Sequence, residues 1–533
     1  MNDPTTTRFL ATAGAYAARS SRRDFLAAAF ASGVSLATAS AAWAQAQDTT
    51  PVKGGHLRLG LAGGSTTDTL DSSFWGDTFM VMVGYAARAG LTEFGADGAL
   101  KPDAAESWEV ADGGRKWVFK IRRGATFSNG KPLTAEDVVA SLNFHRGPKS
   151  RSGSKSIFDA VTDIRAEDRQ TVTVTLSAPN LDFAYLMTDH RVNIMPAAGG
   201  EADWQSGIGP GPYTIDQFQP GVRAVLKRNP NSYRNAHLDS IEMIGIKDVV
   251  ARQAALASGA VDAINRVDLK TADLLRNRRG LRVEQTAGRL HYWLVFDTTQ
   301  APYTNPHVRT AMKYAMDREE ILRVVFRGYG TVGNDQPITP TYRYHDPSIA
   351  AKPYDPEKAR FHLKQAGLDR INVDLHVSEA SFTGAVDTCV LYARQAAKAN
   401  INVNVIREAP DGWSAKMAAT KPPFFTTYWS GRATEDGMLT VGMAKGSPTN
   451  RAQWDNPEFN RVLALARQET DDAKRRKMYS ELQRLVSDDC GVLVPIFANS
   501  VFALNDKVRH PALLAGNWEM DGARMLERWW MKS

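Results

Sequence analysis

The sequence predicts an α/β protein of more than one domain, on three observations. The chain has 533 residues, more than one core holds, because chains beyond about 250–300 residues split into domains. Residues 101–142 read without conflict as strand, turn, strand, turn, helix. Residues 373–377 and 401–406 are β-prone runs bracketing a helix that carries Tyr392 and Ala396, a β-α-β pattern.

The stretch 101–142 is the most informative. Trp108-Glu109-Val110 and Trp117-Val118-Phe119-Lys120-Ile121 are strand-like, the second alternating Trp117, Phe119 and Ile121 with Val118 and Lys120. Asp112-Gly113-Gly114 between them supplies the positive φ that a hairpin turn needs. Asn129-Gly130 is a second tight turn. Thr134 then stands as N-cap with Asp137 three residues on, a carboxylate variant of the capping box, opening a helix with Val138 and Leu142 inward.

Taken in order, residues 1–46 read as an address. Ser21-Arg22-Arg23-Asp24-Phe25-Leu26 matches a twin-arginine motif, a mild apolar stretch follows, and Ala42-Trp43-Ala44 or Ala44-Gln45-Ala46 offers a cleavage site, giving a mature start at Gln45 or Gln47. The stretch is too short and too rich in Ala, Ser, Thr and Gly for a permanent span. An alternating strand at 54–61 leads into the polar loop Gly63-Gly64-Ser65-Thr66-Thr67. Ser65 and Thr66 either donate hydrogen bonds to a ligand or cap the segment 67–71. Phe74, Trp75 and Phe79 follow closely, and one of them is a candidate to face a cleft. Further strands are expected at 172–176, 224–227, 241–246 and 291–296, and helices at 180–187, 250–258 (stopped by Gly259), 306–326, 355–366, 456–466 and 471–487. Gly207-Ile208-Gly209-Pro210-Gly211-Pro212 is a turn.

Composition narrows the function. Apolar content of 43% and charged content of 23% are ordinary for a soluble globular protein. The net charge of +7 is spread over short clusters such as 474–477, which argues against nucleic acid. The two cysteines, Cys389 and Cys490, rule out a CxxC metal site and leave open one disulfide or two buried thiols. Gly328-Tyr329-Gly330-Thr331-Val332-Gly333 matches G-x-G-x-x-G, but it follows a helix and opens none, so it reads as a helix-ending glycine and a loop. No G-x-S-x-G, H-E-x-x-H or Walker lysine loop occurs, and the ten histidines are not spaced as helical metal pairs. No cofactor, metal or catalytic residue is expected.

The string "AESWEV…DGGRKWVFKIRRGATFSNGKPLTAEDVV" resembles the signature of the oligopeptide, dipeptide and nickel class of solute-binding proteins, the extracytoplasmic receptors of ABC importers. "GIGPGPYTI", "LKRNPNSYRNAHLDSIE", "ALASGAVDA", "NPHVRTAMKYAMDREEIL", "YDPEKARFHLKQAG" and the run from Asn456 to Phe497 resemble the family's other landmarks, in its order. The resemblance covers essentially all of the mature chain. It implies an α/β, two-lobed periplasmic binding protein (class II, large cluster C type) with an extra small domain in the first half. The segments implied are signal peptide 1–46, first lobe 47–74, 205–289 and 497–533, small domain 75–204, and second lobe 290–496. It also implies a monomer that captures a small-molecule or peptide ligand by hinge closure and docks on an inner-membrane ABC permease. An enzyme or a ligand-sensing subunit on the same scaffold is the alternative.

The stretch 424–436 is the main site candidate. An aromatic strand ending in Tyr428-Trp429 breaks at Ser430-Gly431, and Arg432, Glu435 and Asp436 follow at once. In the family's peptide receptors the corresponding segment resembles W-x-G-D-x-x-D-P, whose first aspartate holds a peptide's α-ammonium. Arg432 occupies that position here, which favours a carboxylate or other anion. The competing reading is Arg432 paired internally with Glu435 or Asp436. By resemblance Trp413 and Trp429 are expected as cleft walls. The candidate ligand-binding set is thus Arg432, Trp429, Tyr428, Trp413, Ser65, Thr66, Trp75 and Asp436.

Overall fold

A computed structural model describes residues 50–410, 413–447 and 449–532, so the expected export segment at 1–46 lies outside the described residues. Three main sheets organise the chain. The smallest of them grows from the hairpin of Ala105–Ala111 and Lys116–Ile121, with Thr171–Leu176 and Val161–Asp168 added beside it, all antiparallel. The turn uses Asp112, Gly113 and Gly114, all at positive φ. Trp117, Phe119 and Ile121 point to one face and are buried there. Helix Ala135–Asn143 starts at the expected capping box, with Thr134 N donating to Asp137 Oδ2 at 2.9 Å, and it lays Val138 and Leu142 into that core. Such a cap contributes about 1 kcal/mol.

The first large sheet has the order Tyr213–Gln219, Arg223–Arg228, Ser240–Gly245, His56–Leu61, Ala263–Asn265, Ser500–Asn505, Leu281–Thr286. His56–Leu61 is parallel to both of its neighbours and buries Leu57, Leu59 and Leu61. The crossover helix Val249–Ser258 is capped by Asp248, which accepts from Ala251 N at 2.7 Å, and is ended by Gly259 at φ 78°. Helix Thr78–Ala87, within the segment that the sequence assigns to the small domain, packs its apolar side chains into this sheet's core beside Leu59, Met243 and Phe502.

The second large sheet runs Gly330–Val332, Ile496–Ala498, His291–Phe296, Phe424–Trp429, Ile371–Val377, Ile401–Arg407. Ile371–Val377 and Ile401–Arg407 are parallel and joined through helix Ala385–Ala397, the β-α-β unit read from sequence. The helix expected over 306–326 is two, Pro306–Tyr314 and Arg318–Val324, because Asp317 leaves helical geometry and caps the second by accepting from Glu320 N. The helix expected at 180–187 shortens to one turn, Phe183–Leu186. Within the glycine-rich 328–333, Gly330–Val332 forms a short strand against Ile496–Ala498. Cys389 and Cys490 are free and buried in different cores of this half. Among the described residues no helix is long and apolar enough to cross a membrane.

The chain passes between the two large sheets twice, at 287–290 and at Asn499. At the first passage Arg289 N donates to Gly516 O at 3.1 Å, and a Cβ on Gly288 would lie 2.2 Å from that same oxygen. Only glycine lets the two backbones approach so closely.

Candidate ligand cleft

In both halves the parallel strands end in loops that face the other half, where open α/β sheets bind ligands. In the first, Asn265 Oδ1 accepts from Ala62 N at 2.8 Å, tying the ends of two parallel strands, and Arg266 follows at positive φ. In the second, the loops after Val377 and Trp429 carry residues 378–383 and 430–434.

Two chambers lie between the halves. The first, about 150 Å³, has Arg266, Val501 and Glu519 on one wall and Tyr292, Phe382 and Tyr428 on the other. Tyr292 and Phe382 stack with ring centroids 4.2 Å apart. Glu519 accepts from Arg266 Nε and Asn265 Nδ2, each at 2.7 Å, and with Tyr428 it raises the Arg266 pKa further above the ordinary range. Lys270 of the first half meets Asp387 of the second at 2.6 Å.

The second chamber, about 70 Å³, is lined by Ser154, Asp189, His190 and Arg191 from the part of the chain around the four-stranded sheet, by Gly431 and Arg432 of the second half, and by Trp518 of the C-terminal segment. Tyr428 and Glu519 line the first chamber and Gly431, Arg432, Asn517 and Trp518 the second, so the two lie next to each other along the same two segments. Gly431 sits at φ 85°, and a Cβ there would lie 2.3 Å from Arg289 Cβ. The strand must therefore turn at a glycine beside Arg289, whose Nη1 donates to the carbonyls of Arg432 and Ala433 at 2.6 Å.

The turn presents Arg432 to the chamber. Its guanidinium lies 5.1 Å from the Trp429 ring centroid, its Nη1 donates to Gly431 O at 2.9 Å, and its backbone N–H donates to Tyr342 Oη at 2.9 Å. Burial lowers its pKa, opposed by Asp189 across the chamber. Burial alone would raise the Asp189 carboxyl, but His190, Arg191 and Arg432 hold it well below the usual carboxylate range. Burial, with Arg191 beside it, pushes His190 down to about 3, so this imidazole is neutral at ordinary pH.

The internal pairing considered for Arg432 is not what the structure contains. Glu435 accepts from Tyr344 N at 2.6 Å, and Asp436, 3% exposed, pairs with Arg467 at 2.6 Å. Tyr428, Trp429 and Arg432 are brought together at the cleft. The other candidates lie apart from the two chambers. Trp413 packs in the second half's core with Trp293 and Phe425. Trp75 is buried in the first half, its Nε1 donating to Thr69 O at 2.9 Å. Ser65 Oγ lies 2.8 Å from Thr67 Oγ1, Ser65 N donates to Asp68, and Thr66 is exposed.

Sequence reasoning missed Asp189-His190-Arg191, Arg266, Glu519 and Phe382. Three consecutive titratable residues inside the apolar run 181–195 were a usable signal. The others stand far apart in sequence and meet only through folding. Among the described residues no three His, Cys, Asp or Glu side chains gather as metal ligands.

Two α/β lobes joined by two chain crossings, with a cleft between them lined by aromatic and charged side chains, define a two-lobed solute-binding protein. The family model for bacterial extracellular solute-binding proteins, family 5 (Middle) matches residues 99–450, and the chain belongs to that family. It is a solute-binding receptor of the ABC-importer class and not an enzyme. The glutathione-binding protein GsiB of Escherichia coli (strain K12) is 26% identical over 479 residues, 86% of this chain and 91% of that protein. GsiB of Pectobacterium atrosepticum is 27% identical over 442 residues, covering 79% and 85%. Among solved structures, AgaA of A. tumefacien R10 with agropinic acid superposes with a TM-score of 0.78 at 24% identity, over 90% of this chain and 99% of that one. DppA of Helicobacter pylori with the peptide STSA gives 0.78 at 20%, over 92% and 100%.

Proposed function

We propose that this protein is a periplasmic receptor that captures a peptide-like or anionic small solute by hinge closure and delivers it to an inner-membrane ABC permease. The observation that carries the anionic part is Arg432, seated over Trp429 in the interlobe cleft at the position where the family's peptide receptors resemble one another in an aspartate. Tyr428, Tyr292 and Phe382 supply flat apolar walls for the rest of the solute. Relatives named for glutathione and agropinic acid, both carboxylate-bearing, support this chemistry.

The moving parts follow from where buried charge is concentrated. Arg234, held by Glu93 at 2.6 Å and Glu527 at 2.8 Å and also paired with Asp103, joins the base of the small domain to the first lobe. Among the described residues a single buried ion pair, Arg475 with Asp182 at 2.6 Å, joins the small domain to the second lobe. There burial raises Asp182 to about 6 against the pull of Arg475, and the contact is one ion pair where Arg234 makes three. The small domain therefore travels with the first lobe, and the cleft opens against the second about 287–290 and Asn499. Native mass spectrometry of protein purified without refolding is expected to show a bound solute of small mass; a preparation that is ligand-free and stays so against carboxylate-bearing peptides and conjugates would contradict the reading.

Export by the twin-arginine route is part of the same proposal, from Arg22-Arg23 and the weakly apolar stretch behind them. Replacing both with Lys is expected to trap uncleaved precursor in the cytoplasm. Normal amounts of mature protein in the periplasm would remove that assignment.

A further inference from the structure

The second chamber carries more positive than negative charge. Arg191 enters it from the small domain and Arg432 from the second lobe, while Asp189 is its one carboxylate among the described residues and His190 is neutral. Asp189 is already committed: its Oδ1 accepts from Ser154 Oγ at 2.7 Å and from Arg191 N at 3.0 Å, and the Arg191 guanidinium comes no closer to it than 3.9 Å. Arg191 Nε is buried without a hydrogen-bond partner among the described residues. A buried donor left unpaired is rare in folded proteins and asks for a missing partner. Arg432 spends one Nη1–H on its neighbour's carbonyl and stacks on Trp429, so its fork is incompletely used as well.

Resting on the reading of Arg432 as an anion anchor, we infer that a carboxylate of the solute sits between Arg191 and Arg432. Arg191 is then a second recognition residue. Guanidinium groups bind carboxylates as planar forks, and two of them from opposite walls suit one carboxylate with two oxygens. The chamber, about 70 Å³, is less than half the size of the first, about 150 Å³, which suits it to a head group and leaves the first for the rest of the solute. The remainder extends along 428–432 into the larger chamber. Because the small domain rides with the first lobe, this carboxylate also ties the two moving bodies together, which makes it a closing contact.

The test uses sodium acetate as probe, with neutral acetamide and inorganic phosphate as comparators at constant ionic strength. Binding is read by tryptophan fluorescence, since Trp518 lines the chamber and Trp429 lies against the Arg432 guanidinium. The wild type is expected to respond saturably to acetate and not to acetamide, and Arg191→Gln and Arg432→Gln each to weaken acetate at least about ten-fold. The double variant should lose little more than either single one, because both arginines serve one group. Arg191→Lys, which keeps the charge but not the fork, should recover only part, and ligand-free melting curves should show all variants folded. Acetate no better than acetamide, a preference for phosphate, or Arg191→Gln within two-fold of wild type would overturn the inference. Loss in Arg432→Gln with retention in Arg191→Gln would overturn it while leaving Arg432 as anchor; retention in Arg432→Gln would instead remove the anchor itself.

Discussion

Replacing Arg432 with alanine is expected to abolish measurable binding of the solute that co-purifies with the protein, while the variant melts close to wild type. A receptor working at about micromolar affinity has roughly −8 kcal/mol to distribute over its contacts. Truncating one partner of a desolvated, hydrogen-bonded charge pair costs about 2–5 kcal/mol, or roughly 30-fold to several thousand-fold in affinity. The effect on folding should be small, because Arg432 shares no ion pair with Glu435 or Asp436, which Tyr344 and Arg467 engage instead. Calorimetric titration of both forms, with a melting curve for each, separates the outcomes. Affinity kept within a few-fold would take Arg432 out of the site.

A second large effect is expected on stability, far from the cleft. Arg318 and Asp335 form a pair almost wholly shielded from water: Nη2 lies 2.7 Å from both carboxylate oxygens, and Nη1 donates to the carbonyls of Lys313 and Lys352. Asp335 Oδ1 also accepts from Val494 N at 3.0 Å, tying the loop after Gly330–Val332 to the segment that returns to the first lobe. Arg318→Met leaves that carboxylate buried without its counter-charge, at a cost of about 3–5 kcal/mol. Adding Asp335→Leu should recover much of the loss, since removing both partners avoids the stranded charge. Chemical denaturation of the single and double variants checks this. A double variant no more stable than Arg318→Met would show that hydrogen bonds to the pair, and not the charge balance, hold the region.

The fold was legible where local signals agreed with one another. Thr134 and Asp137, Gly259, and the alternation of Trp117, Phe119 and Ile121 each specify structure within a few residues, and each element formed. The long helix expected over 306–326 failed for an equally local reason, because Asp317 caps a new helix more favourably than it continues the old one. Trp75 and Trp413 illustrate the other limit: an aromatic residue near a loop is spelled the same way whether it walls a cleft or fills a core, and here both are core. The candidate site was legible only where consecutive residues carry it, as in 428–432. Its small-domain wall depends on loops 240 residues earlier, and Arg266, Phe382 and Glu519 converge through strand order that sequence does not spell out.

The two lobes, their double crossing and the charge placed between them make one mechanical demand, that the cleft close on the solute. Small-angle scattering of the protein freed of solute, and again after saturation with it, tests that demand most directly. A smaller radius of gyration in the saturated form is the expected result; the same radius in both, with binding confirmed by calorimetry in the same samples, would contradict closure.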